Sequence, residues 1–299
     1  MKVLVLGSTG YVGSAVVRKL TADGHRVVHF VRDTGRLPPG ADVRVGDLAD
    51  PSSLRAAVTD DIDAVLNLAT PTGDEAVDTA AVDALTRPLR GSGRAFVYTS
   101  GVWVLGATGD RAADEAAPVN AIPIVGYRPR IEQRVLASAE DNVRAVVLRP
   151  GIVYGHGGGI PGLMTGWARE HGTGRYVGPV TTRWPMVHVD DLAELYALAL
   201  TKAEPGSVLH GVAHEAVPVA ALAAAADLAA GGTGRAEPWA VEQAAEAVGV
   251  PFAEALALHQ VVSGRRAVTE LGWNPTRPHP LTDLTDTTDL VDATGGDRA

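Results

Sequence analysis

Residues 2–14 read Lys-Val-Leu-Val-Leu-Gly-Ser-Thr-Gly-Tyr-Val-Gly-Ser, which is a short apolar run followed by three spaced glycines. The run is typical of a buried strand, and the apolar residues after the glycines have helical spacing. A strand, a glycine-rich turn and a helix in this order indicate a dinucleotide-binding unit. We expect Gly7 to allow the tight turn, Gly10 to admit a pyrophosphate to the backbone, and Gly13 to let the helix pack closely on the strand.

The start of the first helix is expected to bind the phosphates, because its free N–H groups and positive dipole end attract anions. The residues expected to contact the cofactor in this turn are Gly7, Ser8, Thr9, Gly10, Tyr11, Val12 and Gly13. The alternative is an ordinary strand-to-helix turn in which the glycines are incidental.

The end of the second strand indicates which dinucleotide is bound. Residues 25–31 have the pattern of a strand, and Arg32 follows them directly. NAD-binding units usually place Asp or Glu here, to accept hydrogen bonds from the adenine ribose. A guanidinium suits a 2′-phosphate instead, so the sequence favours NADP as cofactor. Asp33, next to Arg32, leaves NAD as the less favoured alternative. A second alternative is that Arg32 is only a solvated charge at the end of the strand.

Composition excludes several classes of function. The 299 residues include 26 basic and 35 acidic ones, giving a formal net charge of −9. This balance argues against nucleic-acid and anionic-membrane partners. Cysteine is absent, which excludes disulfides and thiolate catalysis and fits a cytoplasmic protein. No apolar run is long enough for a membrane span, and we assign no metal ligands.

Alternating strand and helix patterns through the first half predict an α/β fold of the Rossmann type. We expect a doubly wound parallel sheet with helices on both faces, followed by a smaller mixed α/β substrate lobe at the C-terminal end. The predicted parts are a nucleotide-binding domain at 1–155 with parts of 186–215, a lobe at 156–185 and 216–285, and a polar tail at 286–299. The carboxyl ends of the strands should meet at one crevice.

The chain resembles an extended, atypical short-chain dehydrogenase/reductase of the NAD-dependent epimerase/dehydratase type. The motifs that carry the resemblance lie at residues 7–13, 46–48, 66–70, 96–101, 148–155, 188–193 and 270–275. It implies that Asp47 and Leu48 face the adenine, and that Ala69 and Thr70 flank the pyrophosphate and riboses. It also implies a cofactor contact by Thr99 on the fifth strand. Further cofactor contacts, beside the nicotinamide carboxamide, are implied for Pro150, Gly151, Ile152 and Val153. The segment 188–191 is interpreted as a helix cap with buried anchors rather than as a catalytic group.

The proton-transfer residues that the resemblance implies are missing. The family uses a tyrosine, a lysine four residues later and a Ser or Thr hydroxyl. The only lysines here are Lys2, Lys19 and Lys202; Ala15 and Leu198 precede the last two by four residues, so no Tyr-x-x-x-Lys exists.

Residues 132–136 resemble the family's stretch that begins four residues after the lysine. This resemblance implies that Arg128 takes the lysine position and Ile124 the tyrosine position. Arg128 could hold a ribose hydroxyl, but it does not release a proton at neutral pH. Gly101 takes the place of the usual hydroxyl, with Ser100 adjacent to it. Tyr127 lies about one helical turn after Ile124. We therefore name Tyr127, Ser100 and Arg128 as the catalytic candidates.

Three functions stay open. The favoured one is an NADP-dependent oxidoreductase acting on a small carbonyl or alcohol. The others are a redox-neutral lyase, isomerase or cyclase on the same fold, and a non-catalytic NADP(H)-binding sensor. The segments 71–76, 102–125 and 156–185 should shape the substrate pocket, and their few charges favour an apolar or aromatic biosynthetic intermediate. The helices at 74–89 and 126–139 suggest a possible homodimer, because such helices often pair in the family.

Overall fold

The computed structural model describes residues 1–286, which form three β-sheets with helices around them. The strands in this part of the chain are β1 (Lys2–Leu6), β2 (Arg26–Val31), β3 (Asp42–Val45), β4 (Ala64–Asn67), β5 (Ala95–Thr99), β6 (Arg144–Pro150), β7 (Ile152–Tyr154), β8 (Gly174–Val177), β9 (Arg183–His188), β10 (Ser207–Gly211), β11 (His214–Pro218) and β12 (Ala236–Trp239). The α-helices are α1 (Tyr11–Ala22), α2 (Pro51–Ala57), α3 (Glu75–Thr86), α4 (Arg128–Ala137), α5 (Gly159–His171), α6 (Val189–Lys202), α7 (Val219–Ala229), α8 (Val241–Val248), α9 (Val250–Leu256), α10 (Arg265–Leu271) and α11 (Pro280–Thr285).

The main sheet has seven strands in the order β10-β6-β5-β4-β1-β2-β3, and every neighbouring pair is parallel. The order of the strands reverses between β1 and β4, which is where ligands bind in open parallel sheets. Helices α1, α6 and α10 pack on one face, and α2, α3 and α4 pack on the other. The predicted doubly wound sheet is thereby confirmed.

The register of the ladder brings the loops after the strands to one edge. Leu6 is paired with Asn67, Asn67 with Tyr98, and Thr99 with Leu148. Because the strands are parallel and in step, the residues that follow each of them open onto the same crevice. The sequence motifs at 7–13, 68–70 and 100–101 therefore become neighbours.

The C-terminal lobe contains a three-stranded sheet, β11-β9-β7, and a two-stranded sheet, β12-β8. A third apolar cluster joins these strands to α7 and α9. Strand β7, at the end of the segment 1–155, pairs with β9 in the lobe sheet rather than with the main sheet.

The domain boundaries stay a prediction, and the predicted tail lies outside the described residues except for Asp286. Among residues 1–286, no helix has both the length and the apolar character needed to cross a membrane.

A buried ion pair connects α4 to β6. Arg149 donates from Nε to Glu132 Oε1 over 3.0 Å and from Nη2 to Glu132 Oε2 over 2.5 Å. Both side chains are almost fully enclosed, with 5% and 3% of their surfaces exposed. The pair therefore fixes α4, and with it Tyr127 and Arg128 at the start of that helix, against the sheet.

Candidate active site at the edge of the main sheet

The turn between β1 and α1, residues 7–13, has the geometry of a phosphate-binding turn, and we call it the glycine cradle. Gly7 has a φ of +74°, and a Cβ atom there would lie 2.6 Å from Leu68 O. A Cβ atom on Gly13 would lie 2.0 Å from Gly7 O. Helix α1 begins after Gly10, and no side chain caps its first amides. The glycines are thus required for the turn, and the free helix N-terminus faces outward.

The remaining side chains of the cradle divide into two groups. Ser8 is buried, and its Oγ has no hydrogen-bond partner within residues 1–286. A buried hydroxyl without a partner is costly, and a phosphate oxygen of a dinucleotide would satisfy it. Thr9 is exposed beside it. The side chains of Tyr11 and Val12 point elsewhere, since the Tyr11 hydroxyl donates to Gly155 O over 2.7 Å and Val12 packs into the core.

Arg32 is exposed directly after β2 and forms no salt bridge or hydrogen bond with the part of the chain that the structure describes. Asp33 is engaged locally, because its Oδ1 accepts from Gly35 N over 3.0 Å. The guanidinium of Arg32 is therefore free to pair with an anionic group at the end of β2.

The loops after β3 and β4 continue the crevice. Asp47 Oδ1 accepts from Ala49 N over 2.8 Å, while Leu48 packs against the apolar cluster under α2 and α3. Ala69 N donates to the side chain of Asn67 over 3.2 Å, and Thr70 is exposed. These predicted contact residues lie at the crevice.

The end of β5 carries one free and one paired hydroxyl. Thr99 Oγ1 lies 2.7 Å from the hydroxyl of Tyr196, which is fully buried on α6. Ser100 is buried, and its Oγ has no partner among residues 1–286. Gly101 follows at the position where the resemblance expects a hydroxyl. Ser100 is therefore the hydroxyl at this strand end that has a free hydrogen-bonding capacity.

The segment Pro150–Val153 joins the main sheet to the lobe. Pro150 ends β6, and Gly151 N donates to Gly211 O over 3.0 Å. A Cβ atom on Gly151 would lie 2.6 Å from Pro185 O, so the crossing requires glycine. Ile152 and Val153 then enter β7. This segment reaches the same edge as the glycine cradle.

Tyr127 is connected to α3 and to the loop before it. Its hydroxyl donates to Asp78 Oδ2 over 2.6 Å and accepts from Gly73 N over 3.2 Å. Burial, together with the hydrogen bond to Asp78, raises the pKa of Tyr127 to about 12. The catalytic role predicted for Tyr127 stays a prediction, and its hydroxyl proton is directed at Asp78.

Arg128 begins α4 and is half-buried, yet it forms no salt bridge or hydrogen bond with any residue from 1 to 286. Its charge acts on the neighbouring phenols. Burial raises the pKa of Tyr98 to about 12, and Arg128 opposes that rise. Ile124, at the tyrosine position of the family, is an apolar side chain that is 38% exposed. That Arg128 and Ile124 take the family's lysine and tyrosine positions stays a prediction.

The segment 188–191 has the structural role that the sequence predicts. His188 Nδ1 accepts from Asp190 N over 3.1 Å and caps α6. Asp191 is buried and accepts from the amides of Thr276 and Arg277, each over 3.1 Å. The segment therefore anchors α6 and the chain before α11.

Sequence reasoning missed Asp78, which is 7% exposed on α3. A signal was present, because Asp78 falls on the apolar stripe that includes Val82 and Leu85, and a carboxylate on such a stripe needs partners. It also missed Tyr196, which gave no signal apart from its place on a buried helix.

Comparisons with known proteins identify the family and the fold. The model of the NAD-dependent epimerase/dehydratase family matches residues 3–210. An uncharacterized protein of Schizosaccharomyces pombe is 32% identical, over 95% of this chain and 98% of the relative. A 3-diazoavenalumate denitrifying reductase from a Streptomyces species is 29% identical, over 93% of this chain and 97% of the relative. The structure of human epimerase family protein SDR39U1 with NADPH has a TM-score of 0.75 at 24% identity, over 95% of this chain and 98% of that one.

Proposed function

Because this chain belongs to the NAD-dependent epimerase/dehydratase family, we propose that it is an NADP-dependent oxidoreductase for a small, apolar carbonyl or alcohol compound. The resemblance and the broad class of NAD(P)-dependent oxidoreductase or epimerase-like enzyme are confirmed by the family match and by a reductase among the relatives. The choice of NADP, the substrate class and the catalytic residues are the proposal.

The observation that carries the proposal is the glycine cradle with Arg32 at its side. Gly7, Gly10 and Gly13 leave room for a pyrophosphate on the N-terminus of α1, and the unpartnered Ser8 hydroxyl can donate to it. Arg32 is placed to pair with a 2′-phosphate. When bound, NADPH supplies a hydride for a carbonyl carbon. The relative SDR39U1, whose structure was solved with NADPH, supports this choice of cofactor.

The chain's own contribution to the reaction is electrostatic. We assign to Arg128 the stabilisation of negative charge on the substrate oxygen, since its half-buried guanidinium has no partner within the described residues. Ser100 supplies a hydrogen-bond donor at the end of β5. Tyr127, the third candidate, is less suited, because it already donates its proton to Asp78. Water or Ser100 then provides the proton, and the loss of an ionisable relay is tolerable because acid catalysis typically adds about 10²–10⁴-fold.

A pair of aromatic side chains, one of which closely follows Ser100 in the sequence, supports the choice of an apolar substrate. Trp103 follows β5 by four residues, and its ring lies 6.3 Å from that of Phe252 on α9, at an interplanar angle of 62°. Both side chains are half-buried, and α9 also packs against the turn at Pro123–Val125. An edge-to-face aromatic pair of this kind offers an apolar surface to a ring or an alkyl chain.

The test of the proposed function is the oxidation of NADPH in the presence of a panel of aromatic and alkyl ketones and aldehydes. Loss of absorbance at the nicotinamide band, together with transfer of deuterium from labelled NADPH to the product, is the expected result. Product formation without nicotinamide oxidation would favour the redox-neutral lyase, isomerase or cyclase. Tight NADPH binding without turnover of any compound would favour the sensor.

Replacement of Arg32 by alanine is expected to weaken NADPH binding by about tenfold to a hundredfold, because a charge-assisted contact to the 2′-phosphate is lost. NADH binding should change by less than about twofold, since NADH has no such phosphate. Isothermal titration with both nucleotides measures the two constants. Arg26→Ala, at the opposite end of the same strand, is the matched control and should leave both unchanged. Equal weakening of NADH and NADPH binding would contradict the role of Arg32.

Replacement of Arg128 by glutamine is expected to lower kcat about a hundredfold at saturating NADPH, because one preorganised positive group at the reacting oxygen is removed. Arg130→Gln is the control, since Arg130 is exposed two residues further along α4 and pairs with Glu75. Its kcat should stay within about twofold of the wild-type value. Steady-state kinetics on the best substrate of the panel measures both, and equal kcat values for the two variants would refute the assignment.

The possible homodimer and the cytoplasmic location stay predictions. Within one chain, α3 and α4 are joined to each other by the exposed ion pairs Arg130–Glu75 and Arg134–Asp83. Light scattering after size-exclusion chromatography would determine the oligomeric state.

A further inference from the structure

Asp78 organises the loop that precedes α3. Its side chain is buried, and its two carboxylate oxygens accept three hydrogen bonds. Oδ1 accepts from Thr72 N over 3.1 Å and from Thr72 Oγ1 over 2.9 Å. Oδ2 accepts from the hydroxyl of Tyr127 over 2.6 Å. A buried carboxylate is tolerated when its oxygens are satisfied in this way, so these bonds hold one another in place.

Tyr127, at the start of the neighbouring helix α4, completes the network. Its hydroxyl also accepts from Gly73 N over 3.2 Å, so one side chain at the start of α4 binds both the loop and α3. We call the segment 68–74 the β4 loop. It includes Ala69 and Thr70, the predicted contacts of the pyrophosphate and riboses.

The β4 loop packs directly on the glycine cradle. Leu68 N donates to Leu6 O over 3.0 Å, and a Cβ atom on Gly7 would lie 2.6 Å from Leu68 O. A displacement of the loop would therefore change the wall of the cradle. The hydrogen bonds of Tyr127 and Asp78 act on the far end of the same loop, at Thr72 and Gly73.

The same bonds make Tyr127 a poor proton donor. Loss of its proton would leave a phenolate within 2.6 Å of the Asp78 carboxylate oxygen. Two like charges at this distance repel strongly in a partly buried site. This repulsion disfavours the phenolate, in agreement with the pKa of Tyr127, which is raised to about 12.

We infer that Tyr127 is a positioning residue, which together with Asp78 holds the β4 loop in the conformation that binds the cofactor. It thereby sets the affinity for NADPH and leaves the rate of the chemical step to other groups. This inference rests on the proposed binding of NADPH.

The test compares Tyr127→Phe with the wild-type protein by two measurements. The first is titration with NADPH, in which the Kd of the variant is expected to rise about tenfold, because the hydroxyl loses its hydrogen bonds with Gly73 in the loop and with Asp78 on α3. The second is amide hydrogen exchange without added nucleotide. The Gly73 amide, which donates to the Tyr127 hydroxyl, is expected to exchange at least tenfold faster in the variant. At saturating NADPH, kcat should stay within about twofold and its pH profile should not change.

Two further variants keep the inference testable if Tyr127→Phe folds poorly. Asp78→Asn removes one charged acceptor at constant size and should raise the Kd for NADPH in the same direction. The double variant should be no worse than the more affected single one, since both act through one network. Tyr176→Phe is the matched control, because the Tyr176 hydroxyl makes no hydrogen bond within residues 1–286. It should leave the Kd and the Gly73 exchange rate unchanged.

Each outcome decides between the roles. A fall in kcat of a hundredfold or more in Tyr127→Phe, with an unchanged Kd, would make Tyr127 the proton donor and overturn the inference. Unchanged Gly73 exchange in both Tyr127→Phe and Asp78→Asn would overturn it as well. If the wild-type protein bound no NADPH, the proposed function would fail, whereas the exchange measurement would still report on the loop.

Discussion

Replacing Gly13 with alanine is expected to abolish detectable NADPH binding and to destabilise the protein. The new Cβ atom would lie 2.0 Å from Gly7 O and 3.0 Å from the Cα atom of Ser8. Neither can move away easily, because Gly7 itself packs against the backbone of Leu68. The turn must therefore shift as a whole, and the free amides of α1 lose their arrangement. Overpacking of this kind costs about 1–3 kcal/mol or more, and we expect NADPH affinity to fall more than a hundredfold.

Gly166→Ala is the matched control for this change. Gly166 also lies within a helix, on the exposed side of α5, and a Cβ atom there would meet nothing within 4 Å. This variant should gain about 0.5–1 kcal/mol, because alanine restricts the unfolded chain. NADPH titration and urea denaturation of both variants give the comparison. A Gly13→Ala protein with wild-type NADPH affinity would refute the cradle as the nucleotide site.

Replacing Glu132 with alanine is expected to lower the free energy of unfolding by about 3–5 kcal/mol, the range observed when one partner of a buried ion pair is removed. The Arg149 side chain is 5% exposed, so water cannot compensate its charge once the carboxylate is gone. Its Nη1 already lacks a partner within residues 1–286, which leaves the guanidinium still less satisfied. The change should also weaken NADPH binding, because the pair fixes the start of α4. Urea denaturation measures the loss.

Two comparisons separate the burial of the charge from other effects. Arg134, on the same helix as Glu132, pairs with Asp83 on α3, and the two side chains are 52% and 39% exposed; Arg134→Ala breaks this pair. Exposed pairs contribute about 0–1 kcal/mol, so this variant should be nearly as stable as the wild type. The double variant Glu132→Leu/Arg149→Met should recover most of the stability, since no unpaired charge remains. A small loss in Glu132→Ala, similar to that in Arg134→Ala, would contradict the stated role of the pair.

Much of the main sheet was predictable from the sequence, because its signals are local. The apolar runs at β1, β4 and β5 are continuous, as expected of strands that are covered on both faces. The alternation with helical patterns then requires parallel pairing. The glycine spacing at 7, 10 and 13 was equally informative, since a Cβ atom at each of these positions would lie too close to the neighbouring backbone.

The strands of the lobe were poorly predicted, since their signals are weak. Strands β9, β11 and β12 each contain a proline, at Pro185, Pro218 and Pro238. Proline lowers the strand signal, because it removes a backbone donor from the ladder. These strands are also only four to six residues long, and they form through packing on the third apolar cluster rather than through local preference.

The sequence by itself determined the glycine cradle and the absence of a Tyr-x-x-x-Lys pair, because both depend on residue types at short spacings. Only the tertiary structure decided which groups the Tyr127 hydroxyl contacts. Its partner Asp78 lies 49 residues away, and the two meet because α3 and α4 pack side by side on one face of the sheet. A hydrogen bond depends on distances of tenths of an ångström, and such distances follow from packing across the whole fold rather than from spacing along the chain.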